Sequence, residues 1–569
     1  VPHVPSRCCA PVCDAPIALG LERVLDVSRL TSGNHIDADS PFMEAGLDSH
    51  GAVELRSRLS NAAGGVPALP DTLVFDFPTP RQLANFFRGH VPTLHTLNPT
   101  SRQSNPGDML LTGWSLSLPH EMGSRGATCL MAHCGFDAIS EVPLQRWSVQ
   151  ALSAAPEPIA ARVRHGGFMH GIQLFDCRSF NISPVEAAAM DPQQRLVLER
   201  GYAALHEASH DRASLEGSVV GVFVGIQALE FQELLRTMPA GDSVYAGTGG
   251  ASASACGRVS FALGMQGPCA SYDTACSAGL VAAHAASSAV ALSECTSGLA
   301  GGVNLMLLPI ACVGCAIAGM SSALGRCRTF DGRADGYARS EACCTLVLGG
   351  RDEQASPWTL NVSGSAVRQD GRSASLTAPN GQAQQALRYA ALARAGKLDH
   401  AQASVEAHGT GTALGDPIEV GSYMASVGAR GGASDMMGSV KANVGHSEPA
   451  AGTTGLLQLV SDMHYSQNTP NAQLRALNER VGRLMDVSDS ALHVQLAHAA
   501  RAAVHGSVSS FGYTGTIAHA ALRVTADTTV GVPSCKAPLA CRRSFAWRDP
   551  PTSPQSSRAI EHAALRGSD

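Results

Sequence analysis

The stretch "SYDTACSAGLVAAHAASSAV", residues 271–290, places one cysteine, Cys276, between a short strand-like run and a long run of small residues. Two readings are open for such a residue. A free Cys is usually a buried, inert, small apolar side chain. A Cys at the first turn of a helix can instead be a nucleophile, because backbone N–H groups and the helix dipole lower a thiol pKa from its ordinary value of about 8.5. The second reading predicts a strand–turn–helix here and a reactive thiolate.

Three other stretches have the same form. "VEAHGTGTALGDPIEV" (405–420) runs from an apolar start into His408 within a Gly and Thr turn. "SVKANVGHSEPAAGTTGLLQLV" (439–460) sets Lys441 and His446 ahead of a small-residue helix. "SSFGYTGTIAHAAL" (509–522) places a Gly-rich turn before an apolar run. In each, a strand-like segment ends in a glycine turn that presents polar groups, which is where α/β proteins gather their sites. Two His can donate or accept protons near neutral pH. Gly-rich turns free backbone N–H groups for an oxyanion. One Cys and two His are also metal-ligand types, but they lack the tight pair spacing of a zinc site, so no metal is expected. Either His alone, in a chain with 21, reads as structural.

Composition narrows the class. The 569 residues suffice for about three to five average domains. Apolar content is 44% and mean hydropathy is near zero, as in chains with a globular core. A net charge of −6 gives no reason to expect nucleic-acid binding. The 17 Cys, an odd number without a repeating spacing, suit a reducing compartment better than a disulfide framework. Cys8, Cys9 and Cys13 form no two-by-two zinc pattern. No signal peptide opens the chain, and a cytoplasmic location is expected. The chain starts with Val, so it reads as a fragment, and an organelle leader upstream stays open. The most apolar stretch, "NLMLLPIACVGCAIAGM" (304–320), is too short and too broken by Pro309, Gly314 and Gly319 to span a membrane, and reads as buried core.

Four segments follow. Residues 14–92 show helical apolar spacing (Leu21, Val24, Leu25; Ala52, Leu55, Leu59; Leu83, Phe86, Phe87), with Pro80 suited to a first helical turn. Residues 93–107 are a Pro-, Ser-, Thr- and Asn-rich linker. Residues 108–525 alternate strand-length runs, such as "SVVGVFVGI" (218–226), "CCTLVLGG" (343–350) and "TLNVSGSAV" (359–367), with helical segments, including "MDPQQRLVLERGYAAL" (190–205), entered through Asp191 and Pro192. That pattern predicts a layered α/β domain whose length suggests two similar halves, although no repeat is visible. Residues 526–569 are polar and Pro-rich, a linker expected to be partly disordered.

The blocks "DTACSAGL", "EAHGTGTALGDPIE", "KANVGHSEPAAG" and "FGYTGTIAH" together resemble the signatures of β-ketoacyl synthases, specifically those of type I polyketide synthases. "FDAISEVPLQRW", "FDCRSFNISPVEAAAMDPQQRLVLE" and "RTFDGRADGYARSEAC" match further blocks in order. The resemblance implies a thiolase-like αβαβα fold and a homodimer. It implies Cys276, His408 and His446 as catalytic trio, with Lys441 in support. The N–H groups of Cys276 and Tyr513 would form the oxyanion hole. Thr410 and Thr412 either shape a phosphopantetheine channel or complete the turn. The implied reaction is a decarboxylative Claisen condensation of acyl-Cys276 with a malonyl-type carrier thioester. "FMEAGLDSHGAVELRSRL" (42–59) and "VFDFPTPRQLANFF" resemble an acyl carrier protein, with Ser49 as the attachment point for covalent 4′-phosphopantetheine; the plainer reading makes Asp48 or Ser49 only a helix N-cap.

Implied partners are acyl and malonyl-type carrier thioesters, a phosphopantetheinyl transferase and other polyketide synthase domains. "RRSFAWRD" (542–549) resembles a post-synthase linker, and no acyltransferase G-x-S-x-G domain follows it. Departures from the family pattern are His50 for an apolar residue, Ile517 for Asn, Ser340, Ala342 and Cys344 for glycines, and Pro449 for Ala. Two rival readings remain: a non-elongating synthase-like scaffold that binds or passes acyl chains, and a thiolase acting on coenzyme A esters. The two His blocks count against the thiolase.

Overall fold

In the computed structural model the described residues are 19–88, 109–526 and 542–545, apart from 33–34, 44, 46, 48, 64–68, 70–71, 121–127, 129, 133, 149–158, 351–357, 397–402, 428–433, 466, 487–490, 495–498 and 501–504. Cys8, Cys9 and Cys13, the linker 93–107, and the tail apart from 526 and 542–545 lie outside them.

The chain divides into two compact units. Among the described residues, the smaller contains four helices, α1 (Leu21–Ser32), α2 (Ser49–Ala62), α3 (Leu73–Asp76) and α4 (Pro80–Phe87). Helical spacing turns Val24, Leu55, Leu59, Leu73 and Leu83 inward, where all are buried. α4 starts as expected at Pro80, and its entry is closed by a capping box: Thr79 Oγ1 accepts the Gln82 N–H while Gln82 Oε1 accepts the Thr79 N–H.

The larger unit is built on eleven strands, β1 (Met109–Ser117), β2 (Val220–Ile226), β3 (Cys269–Tyr272), β4 (Ser297–Asn304), β5 (Ala342–Gly349), β6 (Trp358–Gln369), β7 (Ala403–Glu406), β8 (Ser434–Gly438), β9 (Ala491–Val494), β10 (His505–Phe511) and β11 (Thr516–Ala526). Their spatial order is β9-β8-β7-β10-β11-β6-β1-β5-β4-β2-β3. The expected duplication lies in this order. Counted outward from the centre, β1-β5-β4-β2-β3 and β6-β11-β10-β7-β8 follow one and the same path. In each half the first two pairings are antiparallel and the next two parallel. β9 is an addition at one edge. The halves join through antiparallel β1 and β6, at Met109↔Val362 and Leu110↔Asn361.

Helices complete the layers. α5 (Pro192–Glu207) and α6 (Ala253–Leu263) lie on the first half. α5 is buried on nearly all sides, Gln193, Gln194 and Arg195 included, so it is a core helix rather than a half-solvated one. α7 (Ala278–Ala291) touches β2 and β4 of the first half and β11 and β6 of the second. α9 (Ala451–His464) touches β10 and β7 of the second half and β5 and β4 of the first. These two helices form the middle α layer, giving the αβαβα arrangement. α8 (Gly415–Val427) follows β7. Close packing explains the small residues of 271–290. A Cβ on Gly225 of β2 would lie 2.5 Å from the Gly279 nitrogen of α7, and one on Gly452 of α9 would lie 2.7 Å from Leu280 Cβ.

Two segments differ from expectation. Within 304–320, the helix Ile310–Ile317 buries Cys312 and Ala316 but exposes Ile310 and Ile317, so it is amphipathic rather than core. In the tail, Arg543–Ser544 is an ordered strand paired with Leu174–Phe175, and Phe545 lies beside Phe175 and over Arg195. Among the described residues, no helix is long and apolar enough to cross a membrane.

Candidate active site

Cys276 follows β3 and His446 follows β8, the matching third strands of the two halves; His408 follows β7. The topology therefore brings three turns, distant in sequence, to one place. His446 Nε2 lies 3.0 Å from Cys276 Sγ. The His408 and His446 rings stand 5.5 Å apart, nearly perpendicular.

The turn before Cys276 is strained. Ala275 has φ +53, a left-handed conformation that costs a side-chain-bearing residue about 1–2 kcal/mol. Two hydroxyls secure the surroundings: Ser510 Oγ donates to the Cys276 carbonyl at 2.7 Å, and Ser277 Oγ donates to the Thr274 carbonyl at 2.9 Å. α7 begins at Ala278, so Cys276 stands at a helix start, as predicted.

Both imidazoles are held by backbone amides. The Phe511 N–H donates to His408 Nδ1 at 3.3 Å, and the Glu448 N–H donates to His446 Nδ1 at 3.4 Å. A ring nitrogen that accepts carries no proton, so in each neutral ring the hydrogen sits on Nε2. Both rings stay neutral: burial first, then the Lys441 charge, holds each well below the usual histidine range. The site thus presents two fixed N–H donors. Tyr337 packs edge-on against His446, with ring centroids 4.9 Å apart.

The expectation of a lowered thiol pKa is corrected. Burial, with the Glu448 carboxylate adding to it, pushes the Cys276 thiol up to about 12, against the opposing pull of Lys441 and the Tyr513 backbone N–H. Desolvation outweighs both of these pulls, and the resting group is a neutral thiol. The hydrogen bond from the Tyr513 N–H brings that amide to the sulfur, while the Tyr513 ring is half exposed. Lys441 is buried at the start of the turn Lys441–Val444. Thr410 and Thr412 hydroxyls face each other at 3.5 Å, and Thr412 Oγ1 accepts the Gly415 N–H that opens α8. These contacts give Thr412 the turn-completing part. Ser49 is the first residue of the 14-residue helix α2, the helix start that a phosphopantetheine-bearing serine requires; its side chain and that of His50 lie outside what is described.

Several residues were not singled out from the sequence. Glu419 accepts the His408 N–H at 2.7 Å and the Gly409 N–H at 2.9 Å, one on each carboxylate oxygen. Asp416, one helical turn earlier on α8, accepts from Phe330 N–H and Gly411 N–H. The signal was present as two acids three apart at a helix start, on one face and aimed back at the preceding turn. Glu448 is clamped by Arg339, through Nε at 2.6 Å and Nη2 at 2.8 Å. The departures in the larger unit are not among these side chains. Ile517 is fully buried with Ala366, Leu387 and Ala391. Ala342 and Cys344 are buried in β5, and Ser340 donates its amide to the His446 carbonyl. Among the described residues, no group of three or more His, Cys, Asp or Glu is arranged to hold a metal ion.

Comparison with known proteins identifies the family. Family models match the N-terminal domain of β-ketoacyl synthase over residues 110–354, its C-terminal domain over 360–475, and a phosphopantetheine attachment site over 21–87. The chain is 39% identical over 552 residues to polyketide synthase GfsB of Streptomyces halstedii, covering 93% of this chain and 10% of that protein. It is 39% identical over 521 residues to the pikromycin polyketide synthase component PikAII of Streptomyces venezuelae, covering 86% and 13%. The chain thus spans about a tenth of the length of these relatives. Among solved structures it is similar to the ketosynthase from module 6 of the bacillaene synthase of Bacillus subtilis 168 (TM-score 0.65, 30% identity, 73% of this chain and 72% of that one). It is also similar to the oxazolomycin ketosynthase domain OzmH KS7 of Streptomyces albus JA3453 (0.67, 30%, 74% and 75%). With the family matches covering both units, the chain belongs to the polyketide synthases, as a segment in which a phosphopantetheine attachment domain precedes a β-ketoacyl synthase.

Proposed function

We propose that this segment lengthens a polyketide chain by decarboxylative Claisen condensation, with Cys276 as nucleophile and His408 and His446 as paired hydrogen-bond donors. The observation that carries the reading is the Cys276 Sγ to His446 Nε2 contact of 3.0 Å beside a second imidazole held in the same tautomer.

In the first stage the Cys276 sulfur attacks the carbonyl of an acyl carrier thioester. The tetrahedral oxyanion is met by the N–H groups of Cys276 and Tyr513, and the carrier thiol leaves with the thiol proton. In the second, a malonyl-type carrier thioester breaks its C–C bond to CO2, and the electron pair passes to the thioester oxygen. The Nε2–H groups of His408 and His446 face that oxygen; charge develops where donors already stand, without reorganisation. The enolate carbon then attacks acyl-Cys276, and the sulfur departs and is reprotonated. Lys441 adds to burial in holding both rings neutral, which leaves each Nδ1 able to accept its backbone N–H and fixes Nε2 as the donor. Thr410 borders the channel, and Thr412 completes the turn that carries it. Ser49 would hold the 4′-phosphopantetheine through its hydroxyl, and that group supplies a flexible thiol arm.

On this reading 14–92 is the carrier, 93–107 a linker, 108–525 the synthase and 526–569 a post-synthase linker. Its partners are acyl and malonyl-type carriers, other synthase domains, a phosphopantetheinyl transferase and a second copy of the chain, in the cytoplasm. Family membership supports these assignments.

Intact-protein mass spectrometry tests the scheme. Incubation with acyl and malonyl carriers is expected to add an acyl mass that Cys276→Ala abolishes, followed by a β-ketoacyl product. A transferase with coenzyme A is expected to add phosphopantetheine, abolished by Ser49→Ala. Acyl-Cys276 without product would favour the scaffold reading.

A further inference from the structure

Glu448 has φ +45, a left-handed conformation. Its own Cβ opposes that conformation. So does Pro449, whose ring disfavours α-type backbone in the residue before it. The conformation nevertheless sets the Glu448 N–H on His446 Nδ1, 3.4 Å away. Arg339 supplies a hold: its Nε and Nη2 grip the two carboxylate oxygens of Glu448 at 2.6 and 2.8 Å. The guanidinium is itself fixed. Nη1 donates to Cys312 Sγ at 3.0 Å, and Nη2 lies 3.4 Å from Glu230 Oε1. The other oxygen of Glu230 accepts the N–H groups of Leu307 and Leu308. The main chain closes the ring of contacts on either side of Arg339: the His446 N–H donates to the Ala338 carbonyl at 2.7 Å, and the Ser340 N–H to the His446 carbonyl at 2.9 Å.

We propose that the Arg339–Glu448 ion pair is a positioning device. It holds Glu448 left-handed, which keeps the Glu448 N–H on His446 Nδ1 and the hydrogen of that ring on Nε2. Without the pair, the backbone at 448 relaxes and the fraction in place falls about 5- to 30-fold. His446 can then carry its hydrogen on Nδ1, which withdraws Nε2 as a donor. The effect on rate rests on the condensation reading above; the placement of the backbone does not.

Glu448→Gly and Glu448→Ala, each in the full chain, test the device. Both remove the carboxylate, keep the amide and Pro449, and leave Arg339 against Glu230. They differ by one methyl, and glycine takes positive φ freely. In single turnover, Glu448→Gly is expected to condense within about threefold of wild type, and Glu448→Ala about 5- to 30-fold slower. The two should acylate Cys276 at equal rates. Crystal structures of both read the device without turnover: positive φ at 448 and the amide on His446 Nδ1 persist in Glu448→Gly and are lost in Glu448→Ala. If either variant fails to fold, the same pair in an Arg339→Met chain, which removes the half-paired guanidinium, decides. Wild type that yields no β-ketoacyl product counts against the condensation reading alone. Positive φ kept in Glu448→Ala, or equal condensation by the two variants when wild type is active, overturns the positioning role.

Discussion

Glu419 offers the sharpest way to separate the two stages. Its carboxylate is buried, accepts two backbone N–H groups at 2.7 and 2.9 Å, and makes no bond to Cys276 or His446. Glu419→Gln keeps one acceptor and turns an NH2 toward the other amide. One hydrogen bond to a charged group is lost, about 1.5–3 kcal/mol. If that loss falls on the placement of His408, condensation slows by roughly 10- to 150-fold. Acylation of Cys276, which uses the amides of Cys276 and Tyr513, should stay within about threefold of wild type. Rapid-quench intact mass spectrometry reads acyl-Cys276, and chromatography of the released β-ketoacyl thioester reads condensation. Glu419→Ala strands both amides and should cost about 2–6 kcal/mol of stability, read as a lowered Tm. Equal slowing of both stages, or unchanged condensation in Glu419→Gln, refutes the reasoning.

Lys441→Met removes the charge that depresses both imidazoles. Protonation of Nδ1 as pH falls breaks each ring's bond from its backbone amide and frees its orientation, so the acid limb of the condensation profile lies below 6.5 in the wild type and should move to higher pH in the variant, while burial still depresses both rings. His446→Asn should lower condensation by about 10²–10³-fold, the usual cost of one oxyanion donor, measured in single turnover. Ile517→Asn, which restores the usual family residue, should destabilise by about 1–3 kcal/mol in thermal unfolding, because its neighbours Ala366, Leu387 and Ala391 are apolar. Gly225→Ala drives a methyl into the backbone of α7 and should cost about 1–3 kcal/mol in denaturant titration.

Cys276, His408 and His446 could be picked out only as a set, from the coincidence of several strand-to-turn stretches and their resemblance to synthase blocks; singly, each read as structural. The strands at 218–226, 343–350 and 359–367 were legible because continuous apolar runs mark strands buried on both faces. The doubled topology was not, since a shared strand path leaves no trace in residue identity. Ser510 and Arg339 were hidden because their partners, Cys276 and Glu448, lie in remote stretches. The thiol pKa was misjudged because a helix start is a local feature, whereas burial is a property of the whole fold. Arg543–Ser544 escaped notice because pairing with Leu174–Phe175 joins chain segments that composition places in different regions.

Holding each ring by its Nδ1 has one more consequence. Neither imidazole can turn over without abandoning its amide, so the wall these two rings form offers hydrogens and no lone pairs to a bound group. Such a wall responds to the charge on an oxygen and is indifferent to the carbon skeleton behind it. On the proposed scheme, discrimination among acyl chains therefore falls to residues farther from the sulfur.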